Sequence, residues 1–223
     1  MTQVRRSADR FVTRGAGLES RHCFAFGAHY DAGNTRFGSL LAVNEESVEV
    51  GAGFALHPHA GVDIVTWVLS GRVEHGGPLG AACVAGPGDV HVLRSGSGVS
   101  HTQISADGAA CRYLQFWVAG SEDETPVQDV VNVAWSTDPG GLSAVVTLDV
   151  SGATLYAARP GAGQRVVVPP AALLHVFVAT GAAELAGVGE LDTGDSARLG
   201  GADAGLLTAI GEGCEVLVWA MRG

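Results

Sequence analysis

The sequence predicts an all-β protein: two jelly-roll-like β-barrels packed together, with few short helices. Three observations carry the prediction. Gly accounts for 33 of the 223 residues, a composition suited to many short strands joined by tight turns. Candidate strands recur at intervals of about ten residues, punctuated by Gly and Pro, and no window of helical length carries a 3.6-residue apolar stripe. The third is an internal repeat. Residues 65–74 read Val-Thr-Trp-Val-Leu-Ser-Gly-Arg-Val-Glu, and residues 175–184 read His-Val-Phe-Val-Ala-Thr-Gly-Ala-Ala-Glu. Each stretch then meets a second turn, Gly-Pro-Gly-Asp at 86–89 and Asp-Thr-Gly-Asp at 192–195, so that Gly71 matches Gly181 and Asp89 matches Asp195.

In chain order, residues 1–20 are a polar, Arg-rich arm lying along the first domain, with a strand at 10–13. Residues 22–30 alternate aromatic with small side chains and read as a strand, 31–34 as a turn, and 37–44 as a further strand. Residues 48–54 lead into His-Pro-His at 57–59, and strands follow at 62–69, 72–75, 81–85, 90–93, 101–105 and 112–118. The acidic stretch 120–129 is strand-poor and reads as a linker, which sets the domains at 1–120 and 121–223. The second domain repeats the rhythm at 142–149, 154–159, 164–168, 175–179, 182–185, 195–199, 205–210 and 215–221.

Composition excludes several function classes. Hydrophobic residues make up 47% and charged residues 16%, against disorder. The formal net charge is −10, all 13 basic residues are Arg, and no basic run exceeds Arg5 and Arg6, so direct nucleic-acid binding is not expected. Cysteines at 23, 83, 111 and 214 form no C-x-x-C pair and read as free thiols of a reducing compartment. The N-terminal Met-Thr-Gln-Val-Arg-Arg has no apolar core behind it, and no apolar run is long enough to span a bilayer. The expectation is a cytoplasmic protein, off the membrane, and a monomer whose two halves cover each other.

The chemistry-bearing stretch runs from Gly51 to Gln103. His57 and His59, at i and i+2 of a strand, project from one face. A third imidazole from a later strand, His101, would complete half an octahedron with open positions, the form of a reactive metal centre. Gln103, two residues beyond His101, shares its face and offers a weak, neutral amide oxygen. A His-x-His pair in a strand is also compatible with a plain polar face. Phe54, Trp67 and Phe116 are candidates to wall an aromatic-ligand pocket, and large aromatics in a small barrel are otherwise simply core. His75 lines the pocket mouth, supports a ligand from behind, or is a partly exposed strand residue; His91, His22, His29 and His175 read as non-ligands. With Gly71 laid on Gly181, His57 falls on Val167 and His59 on Pro169; with Asp89 on Asp195, His101 falls on Leu207. The second half keeps the scaffold without the imidazoles, which points to a site grafted onto the first half.

Gly51-x5-His57-x-His59-x3-Asp63 followed by Gly71 resembles the first cupin motif, with Asp63 where Glu is usual. His57-Pro-His59-x-Gly61, Val65-Thr66-x-Val68-Leu69-x-Gly71, Glu74-His75, Gly86-Pro-Gly-Asp89 and Gly96-x-Gly98-x-x-His101 together resemble the pirin family, joined upstream by Phe24-x-Phe26-Gly27, Tyr30-Asp31, Phe37-Gly38 and Asn44-Glu45. The resemblance runs from about residue 20 to the C-terminus and is weaker in the second half. It implies a bicupin whose first barrel holds one divalent metal, usually iron, on three His and one Glu; Ni, Mn, Co, Cu and Zn also suit such donors. Carried over, the ligands are His57, His59 and His101, and Gln103 stands where the Glu would be.

Some members of the family are flavonol dioxygenases acting on quercetin, which implies a small aromatic substrate. Others are iron-dependent regulators docking to a protein partner. Gln cannot accept a proton as a carboxylate can, which removes the natural base for the flavonol hydroxyl and leaves Asp63, His75, His91 or metal-bound hydroxide to replace it.

Overall fold

The structure is a computed structural model and describes residues 2–202 and 205–223. Its regular elements are strands, with one short 3-10 turn at Ser7–Asp9 among the described residues. The strands are β1 (Thr2–Arg5), β2 (Phe11–Gly15), β3 (Leu18–His22), β4 (Leu40–Val48), β5 (Gly53–His59), β6 (Val62–Ser70), β7 (Val73–Gly76), β8 (Cys83–Ala85), β9 (Asp89–Arg94), β10 (Val99–Ser105), β11 (Cys111–Ala119) and β12 (Val127–Asn132). There follow β13 (Ser143–Leu148), β14 (Ala153–Ala158), β15 (Arg165–Val168), β16 (Ala171–Leu185), β17 (Gly189–Asp192), β18 (Ser196–Ala202) and β19 (Gly205–Met221). Among the described residues, no helix is long and apolar enough to cross a membrane.

The chain divides into two compact units, Phe11–Val133 and Ala134–Gly223 with Met1–Arg10. The first carries a seven-stranded sheet, β12-β9-β6-β11-β4-β3-β2, and a four-stranded sheet, β5-β10-β7-β8. The second carries one eight-stranded sheet with the path β1-β18-β16-β19-β14-β13, to which β15 and β17 attach. These are cupin-like open sheets, not closed barrels. The leading arm divides: its second half forms β2 and β3 of the first unit, whereas β1 adds to β18 of the second, Thr2 facing Leu199. The acidic stretch is not all linker, because its end pairs with β9 as β12. The division accordingly falls after Val133, not after residue 120.

The repeat is visible in the strand order. The run β12-β9-β6-β11-β4 has its counterpart in β1-β18-β16-β19-β14, with both end strands brought in from a distant part of the chain. Gly71 and Gly181 both take positive φ, +67° and +74°. A Cβ on Gly71 would run into the Ala110 carbonyl and Cys111, and one on Gly181 would run into Cys214. Asp89 and Asp195 both close a four-residue turn by accepting from the backbone N–H three residues earlier, Gly86 at 3.0 Å and Asp192 at 3.1 Å. Where His57 stands opposite His101, Val166 stands opposite Leu207. The match read from spacing alone is therefore one residue out: Val167 is 64% exposed, whereas Val166, Val168 and Leu207 are buried together in the core of the second unit.

Residues 23–30, whose alternation reads as a strand, form bends and turns, and the turn read at 31–34 closes with Asn34 N–H donating to Asp31 C=O at 2.9 Å. Ala25 N–H donates to Asn34 C=O and His29 N–H to Phe26 C=O, which folds the segment on itself. Its rings serve packing: Phe26 lies 5.1 Å from His22 and 5.2 Å from Trp117. The core of the first unit gathers Val48, Val68, Val73, Cys111 and Tyr113, with Ile64, Leu93 and Val99 nearer the site.

One buried carboxyl gives the fold a pH dependence. Glu46, only 3% exposed, accepts from the Ser20 hydroxyl across the β3–β4 ladder. Burial pushes its carboxyl up to about 7, the Ser20 bond opposes that rise, and the Glu45 charge adds to it. The native state thus holds a proton that the unfolded chain releases from about pH 4.5, so stability from this group is present at low pH and lost as pH rises through 7. Glu46→Gln should be more stable than the parent by roughly 3 kcal/mol at pH 8, about 1.4 kcal/mol per pKa unit, and equal to it near pH 4.5. Urea midpoints at the two pH values check this; the same difference at both would refute it.

Candidate metal centre

The centre is built on β5 and β10, antiparallel neighbours in the four-stranded sheet. β5 is the edge strand, which lets Pro58 stand between the two histidines without breaking a ladder. His57 and His59 point to one face, and His101 on β10 lies directly opposite His57. The ligand nitrogens of His57, His59 and His101 all lie within 4.8 Å of one another. Their ring centroids are 4.7 Å apart for His57 and His59, 4.7 Å for His57 and His101, and 5.1 Å for His59 and His101.

Between His101 and Gln103 the ladder slips, so that Gln103 faces Phe54 and one extra residue sits in β5. The Ala55 carbonyl beside the slip accepts a hydrogen bond from His57 Nδ1 at 2.7 Å. A carbonyl only accepts, so Nδ1 carries the proton and Nε2 keeps its lone pair for a ligand. His59 Nε2 and both nitrogens of His101 are buried with no hydrogen-bond partner. Burial pushes His59 down to about 4, helped by His57, and His101 down to about 3, helped by His57, His59 and His91. Both are neutral donors at physiological pH. Orphaned nitrogens on neutral, converging imidazoles are what a divalent cation would satisfy, so the residues present fit a metal.

Gln103, 2% exposed, follows His101 on the same face. His75 lies opposite Gln103 on β7, with Gln103 Nε2 3.4 Å from His75 Nδ1. His75 is fully buried, not a partly exposed strand residue. Its ring stacks on His91 with centroids 3.6 Å apart and on His101 at 5.8 Å. Burial holds His75 well below the usual imidazole range and His91 down to about 4. His91 Nε2 reaches Gln128 Oε1 at 3.3 Å and stays outside the three-histidine cluster.

The remaining candidates divide by strand face. Thr66 of β6 is paired with His91, and Ile64 packs with Leu93 and Val99, so the even-numbered residues of β6 face the interior. Asp63 and Trp67 point the other way. Asp63 sits opposite Arg94 and Val118, where burial pushes its carboxyl up to about 6 against the attraction of Arg94. The fold does not bring it to the histidines. Trp67 and Phe116 are core side chains on that second face. Phe54 is beside the cluster, its ring 6.0 Å from His57.

The aromatic wall missed from sequence is Trp117, whose ring meets His59 edge-on at 4.8 Å while Nε1 donates to Gln115 Oε1 at 2.7 Å. Its partner in the β6 ladder, Ile64, is on the interior face, which the register alone reveals. A cleft of about 660 Å³ opens beside His59, lined by Pro58, Pro78, Leu79, Val99 and Pro126.

His22 and His29 share the Thr13 hydroxyl at 3.0 and 3.1 Å, and His175 is fully buried in the second unit. Among the described residues, no other group of three or more His, Cys, Asp or Glu is placed to hold an ion.

Comparison with known proteins meets this geometry from outside. The family model described as Pirin matches residues 3–118. Over 234 aligned residues the chain is 40% identical to a Mycobacterium tuberculosis protein named "Putative quercetin 2,3-dioxygenase", covering 99% of this chain and 95% of that one. A "Pirin-like protein" of Caulobacter vibrioides is 33% identical over 101 residues, 45% of this chain and 44% of its own length. Among solved structures, the bacterial pirin YhhW of Escherichia coli in complex with nickel(II) superposes with a TM-score of 0.90 over 100% of this chain and 99% of that chain, at 24% identity. A quercetin 2,3-dioxygenase of Acinetobacter baumannii superposes with a TM-score of 0.81 over 99% and 85%, at 19% identity. The family match over half the chain, the 40% identity over almost all of it and the shared bicupin fold agree, and on them the chain belongs to the pirin family.

Proposed function

We propose that His57, His59 and His101 hold one divalent metal, with the Gln103 amide oxygen as a fourth donor. We propose further that the chain is a metal-dependent dioxygenase acting on a quercetin-type flavonol. The observation that carries the reading is the cluster itself: three imidazoles within 4.8 Å, with orphaned nitrogens, beside an apolar cleft. The quercetin dioxygenase names of the mycobacterial relative and the Acinetobacter structure support the substrate class. Iron is the metal proposed; a neutral set of three imidazoles and an amide also suits nickel, which the Escherichia coli pirin binds. When bound, the metal supplies Lewis acidity and redox access to dioxygen.

The chain's own residues do the rest. The prolines, Leu79 and Val99 of the cleft offer an apolar surface to a flat ring and exclude water from it, and Trp117 packs against the His59 ring. The Ala55 carbonyl fixes His57 in the tautomer that presents Nε2. Gln103 orients by hydrogen bonding and takes no proton, and Asp63 lies on the other face of β6, so neither of the two accepts the substrate hydroxyl's proton. The second unit, with Val166 and Leu207 where the first has His57 and His101, serves as scaffold. Four free thiols support a cytoplasmic location.

Anaerobic loading with Fe(II), followed by quercetin and dioxygen, should consume both in equal amounts. No loss of quercetin with Fe, Mn, Ni, Co or Cu would sink the dioxygenase reading. One observation favours a second reading, a non-catalytic iron-binding redox sensor acting through a protein partner: Gln103 leaves the site without a carboxylate base.

A further inference from the structure

An amide differs from a carboxylate in having two unlike ends. Its oxygen can ligate a cation, whereas its NH₂ group can only donate. A glutamine in a metal site therefore needs something to set which end faces in. In the Phe11–Val133 unit His75 is placed to do so. Gln103 and His75 are cross-strand partners on β10 and β7, and Gln103 Nε2 lies 3.4 Å from His75 Nδ1. With the amide nitrogen on this side its N–H donates, Nδ1 accepts and the His75 proton sits on Nε2, which is buried with no hydrogen-bond partner. The amide nitrogen is thereby engaged on the β7 side, and the oxygen is turned from His75.

The His75 ring is itself held. It is fully buried and stacks on His91 at 3.6 Å with only 12° between the planes, and His91 is tied to Gln128 at 3.3 Å. This stack joins the two sheets of the unit, and neither the proposed chemistry nor the three-histidine cluster uses it.

We propose that His75 is a positioning residue that keys Gln103: by accepting from its NH₂ group, His75 commits the amide oxygen, not the nitrogen, to the metal. The inference rests on the metal reading above and deepens it. The opposite tautomer, with the proton on Nδ1, would take the amide oxygen and turn NH₂ toward the cation, leaving three ligands.

His75→Phe keeps a flat ring against His91 and removes the accepting nitrogen. Nickel(II) affinity, measured by competition titration, should fall about tenfold in the parent chain, the scale on which outer partners of ligands act. In a Gln103→Ala background the same change should cost nothing, because the amide it keys is gone. Equal losses in both backgrounds, or none in either, would overturn the proposal and leave His75 a packing residue.

A second measurement needs neither metal nor variant. In the metal-free protein, a long-range proton–nitrogen-15 spectrum should place the His75 proton on Nε2, with the Gln103 side-chain NH₂ signals shifted by contact with His75. A proton on Nδ1 overturns the proposal. His59→Ala separates the two levels. If it binds nickel as tightly as the parent, the metal reading fails, while the spectrum still decides the amide's orientation.

Discussion

His59→Ala should strip the protein of its metal. The substitution removes one of three converging donors whose nitrogens lie within 4.8 Å. It leaves two imidazoles and an amide to hold a cation that commonly takes four or more ligands. Affinity should drop by more than about 100-fold, beyond the range typical of an outer partner. Elemental analysis of freshly purified protein should fall from near one metal per chain to almost none. Binding to the native state alone stabilises it, by about 2.7 kcal/mol at 100 times the dissociation constant. The variant should therefore also lose the rise in melting temperature that added nickel(II) or iron(II) gives the parent. His29→Ala is the control, since His29 is bonded to Thr13 at 3.1 Å and is not in the cluster. Unchanged metal content in His59→Ala would remove the basis of the proposed function.

Gln103→Glu should change the sign of a stability difference. Gln103 is 2% exposed beside three imidazoles, of which burial holds His59 and His101 neutral. A carboxylate there has no opposite charge to meet when the metal is absent, and burying an unpaired charge costs several kcal/mol unless the group takes up a proton. With a divalent ion bound, the same carboxylate offsets one of its two charges and strengthens the site. The metal-free variant should melt below the parent, and the loaded variant above it, with metal affinity raised at least about tenfold. A carboxylate also restores a proton acceptor, so any flavonol turnover should rise and its pH profile should acquire an acidic limb. Scanning calorimetry with and without metal reads the reversal. A variant that melts equally in both states would mean that residue 103 does not face the cation.

Much of the fold was legible because β-structure writes itself locally. Turn chemistry at Gly-Pro-Gly-Asp and Asp-Thr-Gly-Asp marks strand ends wherever it occurs, and both turns close as read. The repeat was legible for the same reason: Gly71 and Gly181 each occupy a positive-φ position hard against a neighbouring strand, which no other residue fills cheaply. Residues 23–30 are not the strand their alternation suggests, because alternation reports only that successive side chains differ. It does not report whether a partner strand is available, and here the backbone bonds run within the segment. The division of the chain was displaced because strands β1 and β12 complete sheets far from their neighbours in sequence, and no composition shift marks such a pairing.

The candidate site divides along the same line. His57, His59 and His101 could be read from sequence because period-two geometry puts the first pair on one face and the surrounding motif supplies the third. Trp117 could not, and Trp67 was the wrong tryptophan, because which face of β6 and β11 looks inward depends on how the sheet packs. Sequence puts His75 on a strand after Glu74 and leaves it open between the pocket mouth, a place behind a ligand and the surface. Its burial comes from the stack on His91, sixteen positions on, and its contact with Gln103 from a register fixed across twenty-eight.

By itself, then, the sequence determined an all-β duplicated chain, a family, and three imidazoles grafted onto one copy. Only the tertiary structure decided what surrounds them: the bulge that frees the Ala55 carbonyl for His57, the tryptophan edge against His59, and the imidazole that takes the Gln103 amide nitrogen. The reason is physical. Strand periodicity is a property of the chain and repeats every two residues, whereas register, sheet stacking and the choice of inner face are set by long-range packing, which no local run of residues encodes.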